Sequence, residues 1–109
     1  MSRPMTDILA RLEQLIADRQ RGDPETSYVA RLLASGPEKI ARKFGEEAVE
    51  TIVAALSQND EALIGEAADT IFHLLILLAQ RNIPFEAVLA ELARREGVSG
   101  IEEKAGRGD

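Results

Sequence analysis

The sequence predicts an all-α protein, an antiparallel bundle of about five helices. Apolar residues recur at the i, i+3, i+4, i+7 spacing of one-sided helices through several long segments. Aromatic residues make up 4% and Trp is absent, so the core has to be built from Leu, Ile, Val and Ala, a composition that favours helices. Short breaks separate the segments, as between antiparallel neighbours. With 109 residues, 45% of them apolar, we expect residues 1–109 to form one domain.

The first two predicted helices are separated by a Gly-Asp-Pro turn. The first runs from residue 6 to about residue 21, and the turn at 22–24 ends it. Ser27 is placed to cap a short second helix that contains Tyr28. A Ser-Gly-Pro break at 35–37 follows, and its proline suits the first turn of a third helix.

Two long helices and a shorter one complete the predicted bundle. The third helix runs to about residue 57, and residues 58–60 form a tight turn in which Asp60 is the expected N-cap of the fourth. The fourth lasts to about residue 80. An Asn-Ile-Pro sequence then opens a fifth helix that ends near Gly97, and the charged, Gly-rich tail at 99–109 is predicted to be irregular.

The charge balance excludes two classes of partner. The net charge is −6, which argues against a nucleic-acid binder and against a protein that binds anionic membranes. There is no cysteine, so disulfides and thiolate metal sites are excluded, as is usual in a reducing cytosol. The N-terminus lacks the apolar run of a signal peptide, and the most apolar stretch, 71–79, is too short to span a bilayer. We therefore expect a soluble, cytoplasmic protein.

A charged stripe lies on the predicted third helix. At about 100° per residue, five side chains fall within an arc of about 100°: Lys39, Lys43, Glu46, Glu47 and Glu50. They lie opposite Ile40, Phe44, Ala48, Ile52 and Leu56. Taken alone, such a stripe is typical of a solvated helix face with i, i+4 ion pairs.

The fourth helix carries acids in an apolar setting. Glu66, Asp69 and His73 share an arc of about 60°, while apolar residues cover nearly every other direction. Such a helix is expected to be buried on most sides. Because a lone carboxylate is costly to desolvate, these acids predict a cation.

The register of the hairpin strengthens this prediction. The turn between the two helices centres near Asn59, so Glu50 is predicted to lie level with Glu66, and Glu47 level with Asp69. At about 1.5 Å of rise per residue, the two pairs are separated by roughly 4.5 Å along the axis. Four carboxylates this close would repel each other strongly without a metal ion.

The donor set indicates Mg²⁺. All four groups offer oxygen, and there is no Cys or His cluster. Mg²⁺ held by carboxylates usually has phosphate oxygens among its other ligands. Lys43 and Lys39 lie on the same face, one and two turns before Glu47 respectively. They could hold further phosphate oxygens.

These residues resemble the signature of a known superfamily, the MazG-like all-α nucleoside triphosphate pyrophosphohydrolases. The matching pattern is Glu46-Glu47-x-x-Glu50, fifteen residues, and Glu66-x-x-Asp69. A narrower similarity, to the phosphoribosyl-ATP pyrophosphatase family, is carried by Ser27-Tyr28, Leu32, Gly36-x-x-Lys39-Ile40-x-x-Lys43 and Asp69-x-x-x-His73-Leu74. The similarity covers nearly the whole chain, from residue 6 to residue 104.

The resemblance implies a dimeric, Mg²⁺-dependent bundle that hydrolyses phosphoribosyl-ATP to phosphoribosyl-AMP and pyrophosphate, the second step of histidine biosynthesis. It implies that Glu47, Glu50, Glu66 and Asp69 are metal ligands. It also implies that Glu46 orients the attacking water as a base or helps to hold a second metal, and Glu46 and Glu47 are the expected catalytic residues.

Several roles stay open at the level of sequence. His73 either supports a metal ligand or is a satisfied core histidine. Ser27 either caps a helix or contacts phosphate, and Tyr28 either packs or stacks on a base. In the tail, Lys104 and Arg107 either reach the substrate or stay exposed. Two rival functions are a pyrophosphohydrolase for another nucleotide and a non-enzymatic helical interaction module.

Overall fold

A computed structural model describes residues 7–97, and within this range every regular element is a helix. The five helices are α1 (Asp7–Arg19), α2 (Tyr28–Ala34), α3 (Pro37–Ser57), α4 (Asp60–Gln80) and α5 (Phe85–Glu96). This confirms the predicted all-α bundle. The predicted start of the first helix at residue 6 and the predicted tail at 99–109, with Lys104 and Arg107, lie outside the described residues.

The hairpin of α3 and α4 is the centre of the fold. The two helices have 21 residues each and share the largest contact of the bundle, and α4 also packs against α1 and α2. A small aliphatic core lies where these four helices meet, and it consists of Ile16, Val29, Leu32, Ile40, Leu75 and Ile76. Each of these side chains is at most 7% exposed. The core therefore fixes α1 and α2 against one end of the hairpin.

Local sequence explains where the central helices begin. Gly36 has a φ of 96°, a left-handed conformation that favours glycine, and Pro37 follows in the first turn of α3. The expectation that Asp60 caps α4 is wrong. Asn59 is the N-cap, with extended backbone and a side-chain oxygen that accepts a hydrogen bond from the Ala62 amide at 2.9 Å. Asp60 lies in the first turn, where its charge favours the positive end of the helix dipole.

The expectation that α4 is buried on most sides is also wrong for a single chain. Only His73, Leu75 and Ile76 are buried in α4, and all three lie in its C-terminal half. Both helices leave apolar side chains exposed, namely Val49, Ile52, Val53, Leu56, Ile64 and Ile71. Leu56 and Ile64 are 83% and 69% exposed. The hairpin thus has an uncovered apolar surface.

Within the described range, α4 is the one helix long and apolar enough to cross a membrane by length and composition alone, with a mean hydropathy of 1.7 over 18 residues. It carries Glu66, Asp69 and His73 within that length. Its contacts with α1, α2 and α3 are those of a bundle helix.

Removing the observed cap tests the start of α4. Asn59→Ala should lower the free energy of unfolding by about 1 kcal/mol, since an amide of the first turn loses its side-chain acceptor. Gln58→Ala is the control, because Gln58 contributes its backbone amide rather than its side chain to the end of α3. Urea denaturation followed by circular dichroism measures both. Equal stability of Asn59→Ala and the parent chain contradicts the cap assignment.

Candidate active site and metal centre

Two threonine hydroxyls connect the central helices beneath the acidic residues. Thr51 Oγ1 lies 2.9 Å from the Glu47 carbonyl oxygen and 3.0 Å from that of Glu66. Thr70 Oγ1 lies 3.0 Å from both of these carbonyls and 2.7 Å from Thr51 Oγ1. Each hydroxyl therefore lies within hydrogen-bond distance of a carbonyl on its own helix, four residues back, and of a carbonyl on the facing helix. It donates its single hydrogen to one of them or to the other hydroxyl. We call this pair the threonine clamp.

The clamp connects the turn of α3 that begins at Glu47 to the turn of α4 that begins at Glu66. Sequence reasoning missed it, although a signal exists: each threonine follows an acid by four residues, at Glu47 and Thr51 on α3 and at Glu66 and Thr70 on α4. A hydroxyl at that spacing reaches the carbonyl one turn earlier on its own helix.

Three carboxylates converge above the clamp. Glu47, Glu66 and Asp69 each offer an oxygen, and these oxygens lie within 4.8 Å of one another. Glu47 is 6% exposed, Glu66 is half-buried and Asp69 is exposed. The structure thus brings together three of the four acids that the sequence analysis names as metal ligands.

Glu50, the fourth of these acids, is exposed and faces the same group. Contact with the carboxylate of Glu47, and then with that of Glu66, raises the pKa of Glu50 above its ordinary value. A raised carboxyl pKa is the expected mark of like charges held close together. The level placement of Glu50 and Glu66 is consistent with this interaction.

We call Glu47, Glu50, Glu66 and Asp69 the acidic cluster, and the donor chemistry of this cluster fits a hard cation. Glu47 Oε2 and Glu66 Oε2 are buried, and neither has a hydrogen-bond partner among residues 7–97. A buried, unpartnered carboxylate oxygen is costly unless a charge satisfies it. Oxygen donors alone, at this spacing, suit Mg²⁺ better than a softer metal.

Lys43 joins the acidic cluster to its surroundings. Its Nζ lies 3.3 Å from Glu47 Oε1 and 3.8 Å from Glu46 Oε1. Hydrogen bonding to Glu47 raises the pKa of Lys43, against the opposing effect of desolvation, so the ammonium form is favoured. The side chain of Glu46 is 56% exposed.

A cavity of about 300 Å³ lies beside Lys43, between α2 and α3. Its lining consists of Tyr28, Arg31, Leu32, Lys39, Arg42, Lys43 and Glu46. The sequence analysis named the lysines, the tyrosine and the glutamate but missed Arg31 and Arg42. Arg31 follows Tyr28 by three positions and Arg42 follows Lys39 by three, a spacing that places each pair on one helix face.

His73 connects α4 to the cavity wall. Its Nδ1 lies 2.7 Å from the Asp69 carbonyl oxygen, and its Nε2 lies 2.9 Å from the Tyr28 hydroxyl. Since a carbonyl only accepts, Nδ1 carries a proton, and in the neutral ring Nε2 accepts from Tyr28. Burial, opposed by Lys43, raises the pKa of Tyr28 and favours its protonated form.

Ser27 has a structural contact at the start of α2. It is 6% exposed, and its hydroxyl accepts a hydrogen bond from the Ala30 amide at 3.2 Å. This N-cap orients the first turn of α2, which carries Tyr28.

A helical hairpin that gathers carboxylates beside a cationic cavity is the arrangement expected of an all-α nucleotide pyrophosphohydrolase. Residues 9–96 match the phosphoribosyl-ATP pyrophosphohydrolase family. The chain belongs to this family and is a hydrolase that acts on a pyrophosphate bond.

Curated relatives match this chain over nearly the full length of both proteins. The chain is 61% identical to the phosphoribosyl-ATP pyrophosphatase of Novosphingobium aromaticivorans over 93% of this chain and 94% of the relative. It is 60% identical to that of Erythrobacter litoralis over 93% of this chain and 97% of the relative. It is 56% identical to that of Sphingopyxis alaskensis over 98% of this chain and 99% of the relative.

The raised pKa of Glu50 predicts that removing its charge increases thermal stability, by an amount that depends on pH. In EDTA at pH 7, Glu50→Gln should raise the melting temperature, because the folded state no longer holds a carboxylate against Glu47 and Glu66. The parent chain recovers this stability as the pH falls through the raised pKa of Glu50. The gain should therefore shrink towards zero below the ordinary carboxyl value near 4.5.

Thermal melts of both proteins at pH 7 and pH 4 measure the effect. Glu25→Gln, at an exposed position in the loop before α2, is the control and should show no such change. A lower melting temperature for Glu50→Gln at pH 7 would contradict the crowding of these acids.

Proposed function

We propose that this chain hydrolyses phosphoribosyl-ATP to phosphoribosyl-AMP and pyrophosphate in a Mg²⁺-dependent reaction, the second step of histidine biosynthesis in the bacterial cytoplasm. The observation that carries the proposal is the convergence of Glu47, Glu66 and Asp69 beside a cation-lined cavity. The named activity of relatives up to 61% identical supports the choice of substrate.

In this proposal Glu47, Glu66 and Asp69 hold the metal, and Glu50 completes the set. When bound, Mg²⁺ neutralises charge on the triphosphate and favours in-line attack by water. The buried oxygens of Glu47 and Glu66 have no other partner among residues 7–97, so they are free to bind it. The threonine clamp joins the backbones at Glu47 and Glu66, so the carboxylates need little reorganisation.

The remaining residues position the substrate and the water. Lys43 lies between the acidic cluster and the cavity, where its charge can hold a phosphate oxygen, and Lys39 can do so one turn earlier. Glu46 is exposed beside Lys43, which suits a base that accepts a proton from the attacking water. The bond between the α- and β-phosphates breaks, and pyrophosphate takes the electron pair of that bond.

His73 acts as a positioning residue rather than a metal ligand in this proposal. Both of its ring nitrogens already have partners, at the Asp69 carbonyl and the Tyr28 hydroxyl. The ring therefore fixes Tyr28 relative to the turn of α4 that carries Asp69.

Pyrophosphate release from a panel of nucleotides tests the function. Phosphoribosyl-ATP should be hydrolysed with Mg²⁺ and not with EDTA, and canonical nucleoside triphosphates should be poor substrates. Faster release from a canonical triphosphate would favour the rival pyrophosphohydrolase. An absence of Mg²⁺-dependent release from every substrate would favour a non-enzymatic interaction module.

Substitution of two of the proposed ligands tests the metal assignment. Glu47→Gln and Asp69→Asn should each lower kcat by about 10²- to 10³-fold, the usual size for the loss of one group that stabilises transition-state charge. Glu61→Gln, an exposed acid in the first turn of α4, is the matched control. Circular dichroism checks that helicity is unchanged. Near-normal turnover in a folded Glu47→Gln, Asp69→Asn double variant contradicts the assignment.

The uncovered apolar surface of the hairpin supports a homodimer. Val49, Ile52, Val53 and Leu56 on α3, with Ile64 on α4, are 45% to 83% exposed. A soluble monomer seldom leaves so many large apolar side chains together on one surface. A second copy of this chain offers the same surface, and a two-fold interface requires such self-complementarity.

Charge placed on this surface should separate the copies. Ile52→Glu with Leu56→Glu should shift the protein from dimer to monomer, because each carboxylate would be buried without a partner. Leu92→Glu, an exposed leucine of α5, is the control and should leave the dimer intact. Sedimentation equilibrium measures the mass. A parent chain that is monomeric at micromolar concentration contradicts the proposal.

A further inference from the structure

The cavity between α2 and α3 is positively charged although the chain is acidic. Arg31, Lys39, Arg42 and Lys43 line it, against one carboxylate, that of Glu46. The chain as a whole carries a net charge of −6. Cations gathered in one concave site repel each other and concentrate anions, so this cavity is suited to an anionic ligand.

Three of the four cations lack a compensating acid. Among residues 7–97, no carboxylate forms an ion pair with Arg31, Lys39 or Arg42. The guanidinium of Arg31 lies over the Tyr28 ring, 6.0 Å from its centroid. Lys43 differs, because it pairs with Glu47 and so belongs to the acidic cluster. The uncompensated charge of the cavity therefore belongs to Arg31, Lys39 and Arg42.

Distance along α3 separates this charge from the acidic cluster. Arg42 and Lys39 precede Glu47 by five and eight residues, which corresponds to about 7 and 12 Å of helix rise. A phosphate group bound beside Glu47 therefore lies more than one turn of α3 from the backbone of Arg42. A ligand with anionic groups spaced along α3 would use both parts of the site.

We propose that Arg31 and Arg42 bind the 5′-phosphate of the phosphoribosyl group of the substrate. They thereby determine specificity for phosphoribosyl-ATP over plain nucleoside triphosphates. The inference rests on the proposed function, in which the triphosphate lies beside Glu47. A phosphate monoester on the second ribose is the anionic group that ATP lacks. The planar guanidinium fork matches phosphate oxygens, and about 300 Å³ is at the small end of ligand pockets.

The binding experiment uses ribose 5-phosphate in EDTA, so that neither Mg²⁺ nor turnover is required. Calorimetry should show binding to the parent chain. Arg31→Met and Arg42→Met should each weaken it about tenfold or more, the usual effect of losing a charge-assisted hydrogen bond. Arg11→Met, an exposed arginine of α1, is the matched control and should bind normally. Undetectable binding by the parent chain, or equal binding by all four proteins, overturns the inference.

Kinetic measurements distinguish a contact of the arginines with the phosphoribosyl group from a contact with the triphosphate. In both cavity variants kcat/KM for phosphoribosyl-ATP should fall about tenfold or more, while inhibition by ATP stays unchanged. A parallel loss of ATP inhibition would overturn the inference, because the arginines would then hold the reacting triphosphate. The two proposals fail separately: arginine-dependent binding of ribose 5-phosphate without phosphoribosyl-ATP hydrolysis overturns the proposed function alone. Hydrolysis without that binding overturns the cavity assignment alone.

Discussion

The contact between Thr51 and Thr70 fixes how α3 and α4 meet, and the acidic cluster depends on it. The two hydroxyls lie 2.7 Å apart and reach the carbonyls of Glu47 and Glu66. These two residues carry the buried carboxylate oxygens that have no hydrogen-bond partner among residues 7–97. The hydrogen bonds of the threonine hydroxyls to these carbonyls therefore hold together two helices whose carboxylates repel one another.

The repulsion between these carboxylates explains the balance between stability and function in the hairpin. Buried carboxylates at close range destabilise the fold unless a cation joins them. The small aliphatic core at the other end of the hairpin, around Ile40 and Ile76, supplies compensating burial. The site can stay assembled because the repelling groups lie on rigid helices rather than on loops.

Charge is also separated along α3. Its first turns carry Lys39, Arg42 and Lys43, and its middle carries Glu47 and Glu50. An anionic substrate and a cation can thus occupy neighbouring parts of one helix face. The overall acidity of the chain conceals this local arrangement, so net charge alone is a poor guide to the ligand.

Sequence patterns predicted the helices and the register of the hairpin, because apolar spacing and turn residues are local signals. They misplaced the N-cap by one residue, since Asn59 and Asp60 are both good caps and only backbone conformation distinguishes them. Periodicity also failed to show which apolar residues stay exposed in a single chain, as Leu56 illustrates.

The positions of Arg31 and Tyr28 beside α3 were beyond sequence reasoning for a different reason. They depend on how the short α2 packs against the hairpin, and this is set by long-range contacts of Val29 and Leu32 in the core. The threonine clamp was missed because a helical threonine has no unique role until the facing helix is known.

Anomalous scattering from a crystal grown with Mn²⁺, an oxygen-preferring substitute for Mg²⁺, tests the metal site most directly. The proposed site should give an anomalous peak coordinated by carboxylate oxygens of Glu47, Glu66 and Asp69. An ordered hairpin with no peak between these three residues, at a Mn²⁺ concentration that supports hydrolysis, would contradict it.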